Sequence, residues 1–404
     1  MLAQEQAVTF KRTVKAEPSE VFRAFTNRSA LQDWLCNAAE VEARKGGRIY
    51  LWWNKGYHTA GVFTDLERDE RLAFTWQGAD DPAATEVRVE LQASGESTTV
   101  SVAYQGVGSG PEWAETAERI KRIWEDGLEN LQSMLEEGID LRLARRPMFG
   151  LNGGDMLNPE LATRLNVPIK EGFWLAGLVD GMGAQAAGLQ KDDVVVNLAG
   201  QDITTFQSFT SALEKHKAGD RVPVVFYRGP ERHEVTIELS RRPAPKLPAT
   251  KEDLVRAMTE ANTALHAELD ALFEGVTEAE AGYKTAPTEW SAKDIMGHLI
   301  SSTRDDHRWI AGVTSGDVDV STIYNSNGNE RVSSVAAVYS PLPLLVEELK
   351  RSDALTITLV AAMPEAAASR KHLFNPLANW MTNFADHHRE HYAEIKALID
   401  AARS

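Results

Sequence analysis

Three histidines carry the clearest chemistry in this chain. His387 and His391 stand four residues apart in Asp386-His387-His388-Arg389-Glu390-His391. On a helix that spacing puts both rings on one face, about 40° apart. His298 lies in a second helical stretch, Trp290-Ser291-Ala292-Lys293-Asp294-Ile295-Met296-Gly297-His298-Leu299. Neutral imidazole is the commonest protein metal ligand. Three of them from two helices leave coordination positions open to water or substrate, a pattern of reactive rather than purely structural sites. Imidazole donors suit zinc or nickel. His388 points about 100° away from His387 and flanks the site. His307, nine residues after His298, falls on the opposite face. Asp386 and Glu390 could orient the ligand rings, but the favoured reading is solvated helix charges. Catalytic residues beyond the metal ligands are not identified by any motif.

These residues need helices to hold them, and the last third of the chain supplies them. Thr250 and Asp253 mark one helix start, and Ser291 marks a second, with Trp290 and Ile295 placed for a hydrophobic staple. A third helix is predicted from Ser340-Pro341, since proline suits a first helical position. A fourth is predicted from Leu377 to Ala401, bearing His387 and His391. Apolar stripes such as Leu254, Met258, Leu265, Leu269 and Leu272 make this an all-α four-helix bundle over residues 250–404. The connection from Gly312 to Tyr339, with Asn325 and Asn327, is long enough to carry extra structure or function.

The rest of the chain divides at two breaks. The first is the basic stretch Arg142 to Pro147. The second is Arg241 to Thr250, with three prolines and no periodicity. Residues 1–142 read as α+β: strands at Val8–Val14, 47–53, 60–67, 71–76, 86–91 and 98–104, then one long helix through Trp113, Ile120, Trp124, Leu128, Leu131 and Leu135. Residues 146–242 read as a β-rich domain with short helices. The 404 residues carry a net charge of −16, which argues against a nucleic-acid or anionic-membrane binder. The one cysteine, Cys36, excludes an intrachain disulfide, and no apolar run spans a membrane. With no signal-peptide pattern at the start, the expectation is a cytoplasmic protein.

Each piece resembles a known family. Pro18-Ser19-Glu20-Val21-Phe22, Leu31-Gln32-Asp33-Trp34, Gly46-Gly47, Gly61-Val62-Phe63, Thr75-Trp76 and the Trp124–Leu135 helix resemble the START-like (SRPBCC) superfamily, in its heat-shock-protein ATPase activator branch. That resemblance implies a helix-grip fold with a cavity for an apolar small molecule; Trp52, Trp53, Trp76 and Trp113 are its candidate lining. It also suggests a stress-related role.

Residues Val179 to Ala184, Ala186-Ala187-Gly188-Leu189, Asp192-Asp193-Val194-Val195-Val196 and Gly200-Gln201-Asp202-Ile203 resemble an HtrA-like PDZ domain. Such a domain adds a peptide to a sheet edge and captures its carboxylate on backbone amides. The resemblance assigns that loop to Met148, Phe149, Gly150 and Leu151. The partner is then a protein C-terminus or an internal peptide. No protease nucleophile motif accompanies it.

The third piece is similar to the DinB/YfiT-like family, whose pattern implies a divalent metal on His298, His387 and His391. The resemblance further implies homodimerisation and chemistry on a low-molecular-weight thiol. Two functions are therefore expected: a multidomain binding protein with a metal-binding bundle or, alternatively, a metal-dependent thiol transferase, isomerase or hydrolase.

Overall fold

A computed structural model describes residues 8–54, 56–243, 246–316 and 328–404. Two compact units emerge: residues 1–139 together with 246–404, and residues 140–245. The first and third sequence pieces thus pack into one body, and the middle piece forms another.

The first domain begins with β1 (Val8–Val14), α1 (Pro18–Thr26) and α2 (Arg28–Trp34). It continues through β2 (Ala38–Val41), β3 (Arg48–Trp52), β4 (His58–Glu67), β5 (Arg71–Gly78), β6 (Thr85–Ser94) and β7 (Ser97–Gln105). The helix α3 (Ala114–Glu137) closes it. The strands form one seven-stranded antiparallel sheet in the order β1-β7-β6-β5-β4-β3-β2. Alternation along the strands turns one face inward; in β7, Thr98, Val100, Val102 and Tyr104 are buried while their neighbours are not. Against that face α3 lays Ile120, Trp124, Leu128 and Leu131. Gly138, at φ 68°, ends α3 in the left-handed conformation that glycine adopts without strain. The sequence pattern showed neither α2 nor β2. The cap of α2, Asn27 accepting from the Ala30 amide, is visible only once the backbone turns there.

The second unit holds α4 (Leu141–Ala144), β8 (Pro147–Met148), β9 (Gly154–Met156), α5 (Pro159–Leu165), β10 (Phe173–Leu175) and α6 (Gly183–Ala186). It goes on with β11 (Val194–Leu198), β12 (Gln201–Asp202), α7 (Phe206–Leu213), β13 (Arg221–Arg228), β14 (Glu231–Glu238) and β15 (Ser240–Arg241). The main sheet runs β14-β13-β11-β10-β9, so β9 is an edge strand. Phe149, Phe173, Leu175, Val195, Phe209 and Phe226 fill its core.

The bundle consists of α8 (Lys251–Phe273), α9 (Glu278–Ala281), α10 (Ala292–Ser315), α11 (Asn329–Val338), α12 (Leu342–Ala361), α13 (Glu365–Ala368) and α14 (Lys371–Arg403). Four of these helices are long and antiparallel in character, the rest short connectors. Thr250 caps α8 through the Asp253 amide, and Ser291 and Asp294 form a reciprocal capping box on α10. The long connection carries extra structure as expected, the helix α11, while Asn325 and Asn327 lie outside the described residues. One expectation needs correction. The last helix starts at Lys371, six residues before the expected Leu377, and runs through Pro376. Proline lacks the amide that would bond the carbonyl four residues earlier. So close to the helix start this removes only the bond to His372, and the packing of Leu373, Phe374 and Leu377 outweighs it. Among the described residues no single helix is long and apolar enough to cross a membrane.

Candidate metal centre

His298 sits on the second turn of α10, and His387 and His391 sit mid-way along α14. The capping box at Ser291 fixes where α10 begins, and therefore which way His298 points. The i,i+4 spacing on α14 brings the other two rings edge to face at a centroid separation of 4.7 Å. One nitrogen from each ring lies within 4.8 Å of the others. Among the described residues this is the one cluster of three or more His, Cys, Asp or Glu groups so arranged. The Nε2 atoms of His298 and His387 are 3.4 Å apart. Two ligands at about 2.0–2.1 Å from one tetrahedral zinc ion are separated by about 3.4 Å, so the pair fits a shared ion without rearrangement.

The surroundings keep His387 neutral. His387 is pulled down to about 4, first by burial and then by repulsion from His391, His388 and His298. A neutral imidazole has its lone pair free for a metal at neutral pH. The Nδ1 of His391 is 2.9 Å from Glu394 Oε2, an arrangement that fixes the ring. Glu394 was missed in the sequence, although it lies three residues from His391 and therefore on the same helix face. Asp386 and Glu390 are exposed. Trp290 covers His298 at a centroid distance of 5.3 Å and is itself held by Asn329, which accepts from its indole N–H at 2.9 Å. The staple tryptophan is thus also a wall of the site.

His388 turns the other way. It is buried, with Nδ1 3.1 Å from the Phe384 carbonyl and Nε2 3.7 Å from Asp353 Oδ1. The other oxygen of Asp353 lies 3.1 Å from His266 Nε2 on α8. Burial pushes the Asp353 carboxyl up, but the two imidazoles outweigh it and hold it below the ordinary range. On the same side Asp306 is raised to about 7 by burial, with Trp380 donating to it at 2.9 Å. His307 is committed to the Ser352 carbonyl and Thr356, in line with its exclusion from the triad.

The other candidate residues have different settings. Trp76 and Trp113 are buried, Trp52 and Trp53 half-buried. Trp76 is in ring contact with Trp53, Phe74, Tyr104 and the α3 residue Trp124, the last at 5.9 Å. Sheet and helix therefore meet through packed aromatic rings at Trp76. In the middle domain Met148 pairs with Ser240 in β8–β15, and Phe149 is a core residue. Gly150 has φ 97°, and a Cβ there would stand 2.6 Å from Met182 Cβ. The loop carbonyls of Phe149 and Gly150 accept from Ala184 and Val179, which fixes the loop beside the edge strand β9. Phe206, at the start of α7, is 61 % exposed.

Fold and site together define a three-domain protein: a START-like α+β domain, a PDZ domain and a DinB-like helical bundle, in that order. Residues 15–136 match the family described as activator of Hsp90 ATPase homolog 1-like protein. Residues 165–239 match the PDZ domain family and 261–395 the DinB superfamily. Among curated proteins, the chain is 24% identical over 120 residues to a probable periplasmic serine protease do/HhoA-like of Haemophilus influenzae, covering 30% of this chain and 26% of that protein. It is 25% identical over 122 residues to the activator of 90 kDa heat shock protein ATPase homolog 1 of Mus musculus, covering 30% of this chain and 35% of that one. The chain thus spans only 26% to 35% of the length of these curated relatives. An HSP90 activator structure from Plasmodium falciparum matches at 21% identity and a TM-score of 0.28, over 32% of this chain and 95% of that one.

Proposed function

We propose that this chain is a multidomain binding protein whose bundle holds one divalent metal ion on His298, His387 and His391. The observation that carries the reading is the convergence of three ring nitrogens, from two helices, within 4.8 Å. Zinc and nickel suit the all-imidazole donor set. The PDZ domain would take a peptide terminus along β9, with Met148 to Leu151 as its carboxylate loop and the exposed Phe206 near the groove. The START-like domain would take an apolar ligand between its sheet and α3, with Trp52, Trp53, Trp76 and Trp113 as candidate lining. A cytoplasmic setting is retained on the single buried cysteine.

A second reading, a metal-dependent enzyme, is favoured by the open coordination that three protein ligands leave. A bound ion would supply Lewis-acid chemistry, lowering the pKa of a water or small thiol placed beside it. The chain's own contribution would be to hold His387 neutral, fix His391 through Glu394 and shield one side of the site with Trp290. A low-molecular-weight thiol is the co-reactant this reading names.

The test is elemental analysis of the untagged chain beside a variant with all three histidines replaced by alanine. About one ion per chain, absent from the variant, is expected. A wild-type chain that takes up no ion even after reconstitution would sink the metal assignment. Activity against electrophiles with added thiols then separates the two readings.

A further inference from the structure

We infer that the first turn of α14, Arg370 to Asn375, is a joint that holds the START-like domain on the bundle and thereby positions the metal-binding histidines. This rests on the reading of the triad as a metal site. Three kinds of contact meet at the turn. Arg370 Nε is 2.9 Å from Glu20 Oε1 on α1, and His372 lies buried 3.6 Å from the other oxygen of Glu20. Asn375 donates to the carbonyl of Glu137, the last residue of α3, at 2.8 Å. Gly138 approaches so closely that a Cβ on it would stand 2.6 Å from the Lys371 carbonyl oxygen. Lys371 in turn reaches the Ala249 carbonyl at 3.2 Å, just before α8. The points where the chain leaves for the PDZ unit and returns from it are therefore both tied to this one turn.

The turn needs these contacts. Pro376 has no amide to give the His372 carbonyl, so the helix locks its own first turn less firmly than usual. Beyond the proline, Leu377, Ala378 and Met381 pack with Trp309, Ile310 and Val313 of α10. Further along the same pair of helices, with α10 running the opposite way, His298 meets His387 and His391. The two contact zones are about 16 Å apart, eleven residues of α10 at the helical rise. A stiff helix carries a displacement over that distance, and metal–ligand bonds tolerate only about 0.2 Å. Glu20, Arg370 and Asn375 are accordingly positioning residues for a site they do not touch.

The experiment uses the full chain, stripped with chelator and titrated with zinc by calorimetry, followed by hydrogen-exchange mass spectrometry. Glu20→Arg should weaken zinc binding about fivefold, the lower end of ordinary coupling between sites. Glu20→Arg combined with Arg370→Glu, which restores an opposite-charge pair, should recover most of the loss. By the reciprocity of linkage, zinc should raise protection in α1 and at the end of α3 in the wild-type chain. Should Glu20→Arg not fold, Asn375→Ala removes only the bond to Glu137 and should weaken zinc about twofold by the same coupling. Variants that bind zinc as tightly as wild type, with protection confined to α10 and the middle of α14, overturn the inference alone. A wild-type chain that binds no zinc overturns it together with the metal reading.

Discussion

His372 should make the body formed by the START-like domain and the bundle sensitive to acid. It sits at the junction of α1 and α14 with 7 % of its side chain exposed. Burial, reinforced by Arg23 and Arg370, drops its pKa from 6.5 to about 3. Glu20 stands 3.6 Å away, but its charge is already engaged by Arg370 and does little for a protonated ring. The sign follows from linkage. The unfolded chain takes up the proton near 6.5 and the folded one does not, so stability is complete above that value and falls as pH drops toward 3. One pKa unit is worth about 1.4 kcal/mol. At pH 5 the loss from this residue is therefore roughly 2 kcal/mol, and it reaches roughly 5 kcal/mol at the acid end. The assay is denaturant unfolding of the chelator-treated chain between pH 7.5 and 5, compared with His372→Gln. Other groups titrate in both proteins, so the difference isolates His372. The variant should lose about 2 kcal/mol less than wild type over that range. Equal slopes in the two proteins would refute the reasoning.

Other outcomes can be checked separately. Glu394→Gln should weaken zinc binding about tenfold through His391, without changing its stoichiometry, as read by calorimetry. Replacing Asp353 with alanine strips a buried carboxylate from between His266 and His388 and should cost about 3 kcal/mol in a denaturant melt; a loss below about 1 kcal/mol would show the pair is not structurally important. Gly150→Ala puts a Cβ against Met182 at a positive φ and should destabilise the PDZ domain by at least about 1 kcal/mol, seen as faster exchange of its amides. Ser291→Ala removes one half of the capping box on α10 and should cost about 1 kcal/mol, with a matching drop in thermal midpoint.

The sequence by itself determined a great deal. Local signals are short-range, so period, caps and spacing carried every strand of the first domain but β2, the starts of α8 and α10, and the face shared by His387 and His391. β1 was found at its observed limits, Val8–Val14, a run rich in β-branched and aromatic residues. What remained illegible depends on partners distant in the chain. Nothing local to His298 says that α10 lies against α14, and the triad exists only because antiparallel packing sets their register. Trp76 could line a cavity or fill the core, and nothing local to it shows that it meets Trp124, 48 positions away. The last helix was expected from Leu377; the apolar contacts of Leu373 and Phe374, and the docking of the START-like domain, extend it back to Lys371 through Pro376. His388 looked like a flank of the metal site until Asp353, from another helix, gave it a buried counter-charge. Chain order placed the PDZ domain between two separate neighbours. Tertiary packing joined those neighbours into one unit, because the end of α3 and the first turn of α14 satisfy each other's polar groups.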